Sequence, residues 1–262
     1  MSDGQPLSVE RRPGGVAVLT LHNPPLNLQT LALMGCLERA VIELDDDDLV
    51  RVVILTGAGS RAFSAGSDIR EFPQLSDSFV EKKLRRENAV FNRIESMKKP
   101  VIAAINGAAL GGGCELALAC DFRVIDENAR IGLPEIRLGT FPGSGGLSRL
   151  PKLIGAARAM QLMCSGAALT AAEARDIGLV NRIAPAGQAL ETAHAMAMEL
   201  SMQAAFAIRC IKQAVRAAPM QSSAEAVEMS LRLSEQIFKT EDSAEGVRAF
   251  LEKRRPHFKG AP

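Results

Sequence analysis

The sequence predicts an α/β protein, and three observations predict it. Short apolar runs rich in β-branched residues, such as Val52-Val-Ile-Leu-Thr56 and Val101-Ile-Ala-Ala-Ile105, alternate with helical patterns over the first two-thirds of the chain. Beyond Pro185 only helical patterns remain. No low-complexity linker and no internal repeat separates the two regions. At 262 residues the chain can bury a sizeable core, as one large α/β unit or as one domain with an appendage.

The composition narrows the function classes. Lys plus Arg is 31 against 30 for Asp plus Glu, a balance that argues against a nucleic-acid footprint spread over the surface. No apolar run approaches the ~20 residues that span a bilayer, so no membrane partner is expected. The segment Met1 to Gly15 lacks the apolar core of a secretory signal, and Asp3 and Glu10 do not suit a transit peptide. The cysteines at 36, 114, 120, 164 and 210 are odd in number and dispersed, without a Cys-x-x-Cys. They read as reduced thiols, mostly buried, in a cytoplasmic protein.

In chain order, Val16 to His22 is a strand that Asn23-Pro-Pro25 ends. Thr30 is placed to cap a helix through Leu31, Met34, Leu37, Val41 and Leu44. The run Asp45 to Asp48 reads as a solvated helix end, since nothing spaces those carboxylates as metal ligands. Val52 to Thr56 is a buried strand closed by Gly57-Ala-Gly59, and Phe63 to Phe72 is a loop of small residues. A charged helix comes next, with an apolar stripe at Val80, Leu84, Val90, Phe91, Ile94 and Met97, and Pro100 ends it.

Val101 to Ile105 then feeds Gly111, Gly112 and Gly113, which open a helix carrying Glu115 in its first turn. Such a junction leaves backbone N–H groups free to face something negative. Phe122 to Ile125 is strand-like, Arg130 to Leu133 leads to Pro134-Glu135, and Phe141-Pro-Gly-Ser-Gly-Gly146 is a second glycine loop opening a helix. Residues 155–177 read as helical and 179–183 as one short strand. The segment Ser222 to Lys239 is apolar on two faces, at Met229, Leu233 and Ile237 and again at Val227, Leu231 and Phe238, which suggests a subunit interface besides internal packing.

Several chemistries lack their parts. Gly107 and Gly112 have phosphate-loop spacing, but Gly113 stands where the lysine belongs and Cys114 where Ser or Thr belongs. No Gly-x-Gly-x-x-Gly follows a strand, and there is no Gly-x-Ser-x-Gly. His22, His194 and His257 are scattered, without a His-Glu-x-x-His. A carboxylate pair near glycine-rich backbone remains, Glu115 and Glu135. Taken singly, Glu115 could merely complement a helix dipole and Glu135 could be a strand-end residue. Together they have the apolar surroundings that acid–base carboxyls with raised pKa need.

Three motifs, in order, carry a resemblance: Phe63-Ser-Ala-Gly-Ser-Asp-Ile-Arg-Glu-Phe72; Lys99-Pro-Val-Ile-Ala-Ala-Ile-Asn-Gly-Ala-Ala-Leu-Gly-Gly-Gly-Cys-Glu-Leu-Ala-Leu-Ala-Cys-Asp121; and Leu133-Pro-Glu-Ile-Arg-Leu-Gly-Thr-Phe-Pro-Gly-Ser-Gly-Gly146. Over nearly its whole length the chain resembles the enoyl-CoA hydratase/isomerase (crotonase) superfamily, and within it the hydratases. The resemblance implies a crotonase-like spiral of ββα repeats over residues 1–200, holding the CoA-binding and catalytic site. It implies a helical trimerisation region over 201–262, in a homotrimer or homohexamer.

The implied ligand is an acyl-CoA thioester, with no separate cofactor and no metal. Its thioester oxygen would take hydrogen bonds from the Ser67 and Gly112 amides, an oxyanion hole. The adenine portion of CoA would lie along Ala65, Ser67, Ile69 and Arg70, with Asp68, Gly112 and Gly143 also among the implied substrate- and CoA-binding positions. Phe250 and Lys253 resemble positions that reach a neighbouring subunit's CoA. In the implied hydratase reaction Glu115 and Glu135 hold one water between them, and the Gly143 backbone helps position the surroundings of Glu135. Ser67 departs from the alanine usual in hydratases; the donor is backbone, so the hole survives the change. The alternatives the resemblance leaves are an enoyl-CoA isomerase or another acyl-CoA lyase. A non-catalytic CoA- or RNA-binding scaffold fits the charge balance and intact Glu pair poorly.

Overall fold

The computed structural model describes residues 5–75 and 78–260; residues 1–4 of the N-terminal segment, 76–77 of the charged helix region and 261–262 lie outside the described residues. A six-stranded sheet runs in the order β1 (Leu7–Arg12), β2 (Val16–Leu21), β3 (Val52–Gly57), β5 (Val101–Ile105), β7 (Phe122–Asp126) and β10 (Arg182–Ala184). Its strands are parallel except at the β1–β2 hairpin. A four-stranded sheet of three-residue strands runs β4 (Ala62–Ser64), β6 (Ala108–Leu110), β8 (Arg130–Gly132), β9 (Ala168–Thr170), with only the β8–β9 pair antiparallel.

Successive strands alternate between the sheets: β3 then β4, β5 then β6, β7 then β8. Each pair leads into helix: α2 (Phe72–Leu75) and α3 (Arg85–Ser96) after β4, α4 (Gly112–Ala119) after β6, and a turn (Glu135–Leu138) then α5 (Gly146–Ile154) after β8. This is a spiral of strand–strand–helix repeats, preceded by α1 (Leu31–Asp46).

Burial explains why the central strands are legible as unbroken apolar runs. All six residues of β3 and all five of β5 are buried, because helices cover both faces of the large sheet. One face packs on α1, α3 and α4 through Leu37, Val41, Val90, Phe91, Ile94 and Leu116. The other receives α8 (Ala189–Ser201), whose alanines at 189, 193 and 197 let the helix close on Val16, Val18, Val52 and Ile54. Beyond Ser201, α9 (Ala205–Ala217) and α10 (Ser223–Ile237) share a smaller cluster of Cys210, Met229 and Leu233, and α11 (Glu241–Leu251) completes the chain's helices. The second apolar face of α10, with Val227, Leu231 and the adjoining Phe238, is exposed in the single chain. No helix among the described residues is long and apolar enough to cross a membrane.

The elements depart from the sequence expectations where strands are short. β1 carries Glu10, Arg11 and Arg12 on an edge, so it shows no apolar run. The loop expected from Phe63 begins inside β4. The helix expected over 155–177 is three elements, α6 (Ala156–Ser165), β9 and α7 (Ala171–Asp176), because Gly166 ends α6 in the left-handed conformation at φ 62° and Thr170 caps α7 with a capping box. The strand expected over 179–183 is β10, Arg182–Ala184.

Candidate active site

β4, β6 and β8 are parallel neighbours, so the segments leaving their C-terminal ends collect at one edge of the small sheet. Ser67 comes after β4, Gly112 and Glu115 after β6, and Glu135 after β8. Backbone bonds lock these segments together. The Gly111 amide donates to Gly132 O at 3.0 Å, tying the end of β6 to that of β8. Gln29 threads between the other two: its amide donates to Gly66 O (2.8 Å), its carbonyl accepts from the Asp68 amide (3.2 Å) and its side chain donates to Gly112 O (2.9 Å).

The glycines let these backbones touch. A Cβ on Gly113 would stand 1.9 Å from Ser64 O, and one on Gly66, where φ is 93°, would stand 2.9 Å from Leu110 O and 3.0 Å from the Gly112 nitrogen. A Cβ on Gly112 would lie 3.4 Å from the Ser67 nitrogen. The Ser67 and Gly112 amides are therefore adjacent, and neither donates to a protein acceptor among the described residues.

The two carboxyls differ in how they are held. Glu115 is 2% exposed, and its Oε1 accepts 2.8 Å hydrogen bonds from the Ser144 and Gly146 amides at the start of α5. Burial pushes its pKa up to about 7; those two amides work against the rise, and the charges of Glu135 and Glu87 work with it. Glu135 sits in the first turn after Pro134, and both its oxygens are enclosed without a hydrogen-bond partner. Burial raises its pKa too. Its Oε1 faces Gly111, 3.3 Å from where a Cβ there would be.

Glu115, Glu135, Ser67 and Gly112 all line one cavity of about 690 Å³. Its remaining wall is largely apolar, with Phe72, Phe79, Leu84, Leu138 and Phe141; the rings of Phe72 and Phe79 meet edge to face at 4.6 Å.

Of the other sequence-derived positions, Ala65, Ile69 and Gly143 line the same cavity. Asp68 and Arg70 do not; Asp68 caps the turn after β4 and pairs with the exposed Arg70 at 2.7 Å. Phe250 and Lys253 lie at the exposed end of α11, away from the cavity lining. Gly143 holds a different partner from the one expected. Its carbonyl accepts from Asn88 at 2.8 Å, and the amides just after it grip Glu115 rather than the surroundings of Glu135. Sequence reasoning missed Glu87, Lys83 and Ser144, which are buried beside the cavity. The glycine loop Phe141 to Gly146 contains Ser144 and so offered a signal, but Lys83 and Glu87 were hidden in a run of charges.

Twin sheets wound by strand–strand–helix repeats, with a glycine-opened helix at the small sheet's edge, place the chain in the crotonase class of α/β proteins. The known relatives agree. A solved enoyl-CoA hydratase from Bacillus anthracis superposes with a TM-score of 0.95 at 37% identity, covering 98% of this chain and 100% of that one. A probable enoyl-CoA hydratase of Bacillus subtilis is 40% identical over 94% of this chain and 95% of its own length. A short-chain-enoyl-CoA hydratase of Clostridium acetobutylicum is 39% identical over 92% and 93%. The family model for enoyl-CoA hydratase/isomerase matches residues 11–261. The chain belongs to the enoyl-CoA hydratase/isomerase family.

Proposed function

We propose that the protein is an enoyl-CoA hydratase, adding water across the C2=C3 bond of a trans-2-enoyl-CoA to give the 3-hydroxyacyl-CoA. The observation that carries this reading is the Glu115–Glu135 pair, both enclosed in one cavity, both with raised pKa, beside two unpaired amides. The names of the three relatives described above, all hydratases, support it.

In the proposed reaction the thioester oxygen accepts hydrogen bonds from the Ser67 and Gly112 amides. A water lies between the carboxyls. Glu115, ionised, takes a proton from that water as its oxygen bonds to C3, and the C=C electrons move onto the thioester as an enolate. Glu135, protonated, delivers its proton to C2 as the enolate collapses. The pair then regains its starting protonation by exchange with solvent. Each amide donor contributes ~3–4 kcal/mol where negative charge develops on the thioester oxygen. Each acid–base group contributes roughly 10²–10⁴-fold. The apolar wall around Phe79 and Phe141 suits a hydrocarbon acyl group.

The CoA portion is assigned to the segment Ala65 to Arg70. The assembly is proposed to be a homotrimer, alone or paired into a hexamer, with Phe250 and Lys253 reaching a neighbour's CoA.

Loss of conjugation absorbance with crotonyl-CoA and longer enoyl-CoA esters tests the activity. Glu115→Gln and Glu135→Gln are each expected to lower kcat at least a hundredfold while CoA-ester binding survives. A near-normal rate in either variant overturns the mechanism. Formation of conjugation from a 3-enoyl-CoA, without hydration of the 2-enoyl ester, would identify an isomerase instead.

A further inference from the structure

A third carboxyl stands behind the pair. Glu87, in the first turn of α3, is 1% exposed, and each of its oxygens is taken by a different loop of the site. Its Oε1 accepts from the Ser67 hydroxyl at 2.8 Å, and its Oε2 accepts from the Ser144 hydroxyl at 2.6 Å. Each of those serines also carries a backbone amide of the site: Ser67 lines the cavity and its amide has no protein acceptor among the described residues, and Ser144 N–H holds Glu115. One turn earlier, the fully buried Lys83 places its ammonium 3.4 Å from Glu87 Oε1. Lys83 also donates to the Gln29 carbonyl and to Glu71 Oε2 at 2.9 Å. A carboxyl so deep is costly to bury unless it is hydrogen-bonded and its charge is paired, and here two fixed hydroxyls donate to it and one buried ammonium faces it.

We propose that Glu87 is a positioning residue that clamps the Ser67 loop to the Ser144 loop, setting the oxyanion-hole amide and the Glu115 carboxylate at a fixed separation. The Ser67 hydroxyl thereby gains a role, as one jaw of the clamp. Lys83 anchors the clamp to the backbone at Gln29, whose side chain already pins Gly112. The fixed separation matters because the thioester oxygen and C3 of one ligand must meet both groups at once, and a misplacement of ~1 Å can cost on the order of a hundredfold in rate. The positioning role rests on the hydratase reading; the contacts and the electrostatics of Glu87 do not.

The test combines kinetics with a carboxyl titration of the free protein, monitored by the infrared C=O stretch and assigned through Glu115→Gln. Glu115 is faced by Glu87 from α3, Glu135 from the turn after β8, Cys114 from its own helix and Arg149 from α5. Glu87→Gln removes one of the charges that raise its pKa, so its titration midpoint is expected to move down. With an enoyl-CoA substrate, kcat is expected to fall roughly ten- to a hundredfold with KM held within about twofold. Removing Glu87 takes away one of the two carboxylates beside the buried Lys83 ammonium and leaves Glu71, so Ser67→Ala and Ser144→Ala carry the test separately. Each is expected to lower kcat, and the Ser67→Ala/Glu87→Gln double variant to lose no more than Glu87→Gln alone. An unchanged Glu115 midpoint, or additive losses in the double variant, overturns the clamp. A protein that hydrates no enoyl-CoA, yet shows the displaced midpoint, overturns the hydratase reading and leaves the Glu87 contact standing.

Discussion

At the residue scale, Glu115 is where activity and stability oppose each other. Its pKa of about 7 in the folded chain lies above the ~4.3 of a free glutamate, so between those values the native state binds more protons than the unfolded one. Its contribution to stability is therefore fully present at low pH and is lost as pH rises through about 7. Glutamine cannot ionise and still accepts the Ser144 and Gly146 amides through its carbonyl oxygen. Glu115→Gln is therefore expected to be more stable than the parent at pH 8, by at most about 4 kcal/mol, and to match it near pH 4. Denaturant unfolding at both pH values, at one protein concentration, checks this. An equal difference at the two pH values would show that packing, not charge, is responsible. The same titration fixes the acid side of the proposed rate profile, because a protonated Glu115 cannot take a proton from water.

At the element scale, the site depends on backbones touching at glycine. Gly66 and Gly178 both have positive φ, at 93° and 79°, so alanine at either carries the left-handed strain of ~1–2 kcal/mol. A Cβ at Gly178 meets nothing within 4 Å, whereas one at Gly66 presses on Leu110 O and the Gly112 nitrogen. Gly178→Ala is expected to lower stability and leave kcat unchanged. Gly66→Ala is expected to lower kcat at least tenfold as well, by prising the Ser67 and Gly112 amides apart. Equal kinetics in the two variants would remove the close approach from the mechanism. Local and long-range contacts also divide the features a sequence discloses from those it hides. β3 and β5 are buried on both faces and read directly as apolar runs, and the helix starts at Thr30 and Gly112 arise from cap and glycine chemistry. The three-residue strands β4, β6, β8 and β9 are too short to show a period, although β4, β6 and β8 deliver the site. Lys83 and Glu87 were invisible for a different reason. Their partners Gln29, Ser67 and Ser144 lie 54, 20 and 57 residues away, so local pattern marks them as surface charge.

At the scale of the whole molecule, the unfinished surface is the C-terminal helical region. Phe250 and Leu251 at the end of α11 are 82% and 74% exposed, and Val227, Leu231 and Phe238 line the outer side of α10. Apolar residues grouped on two consecutive helices exceed what a lone chain gains from exposing. The cluster beneath α10, three buried residues, is small beside the cores on the large sheet, so these helices draw little stability from the chain itself. The proposed trimer resolves both features, since it would bury the outer face of α10 and seat α11 against a neighbour. Leu231→Asp combined with Phe238→Asp is expected to convert the wild-type assembly to monomers, read as mass by light scattering on a sizing column. Because Phe250 and Lys253 are assigned to a neighbour's CoA, the same variant is expected to raise KM for the CoA ester several-fold, while the carboxyl pair, built entirely within one chain, keeps its titration. A monomeric wild-type protein would overturn the assembly. A dissociated variant with unchanged KM would keep the assembly and withdraw Phe250 and Lys253 from the binding of CoA.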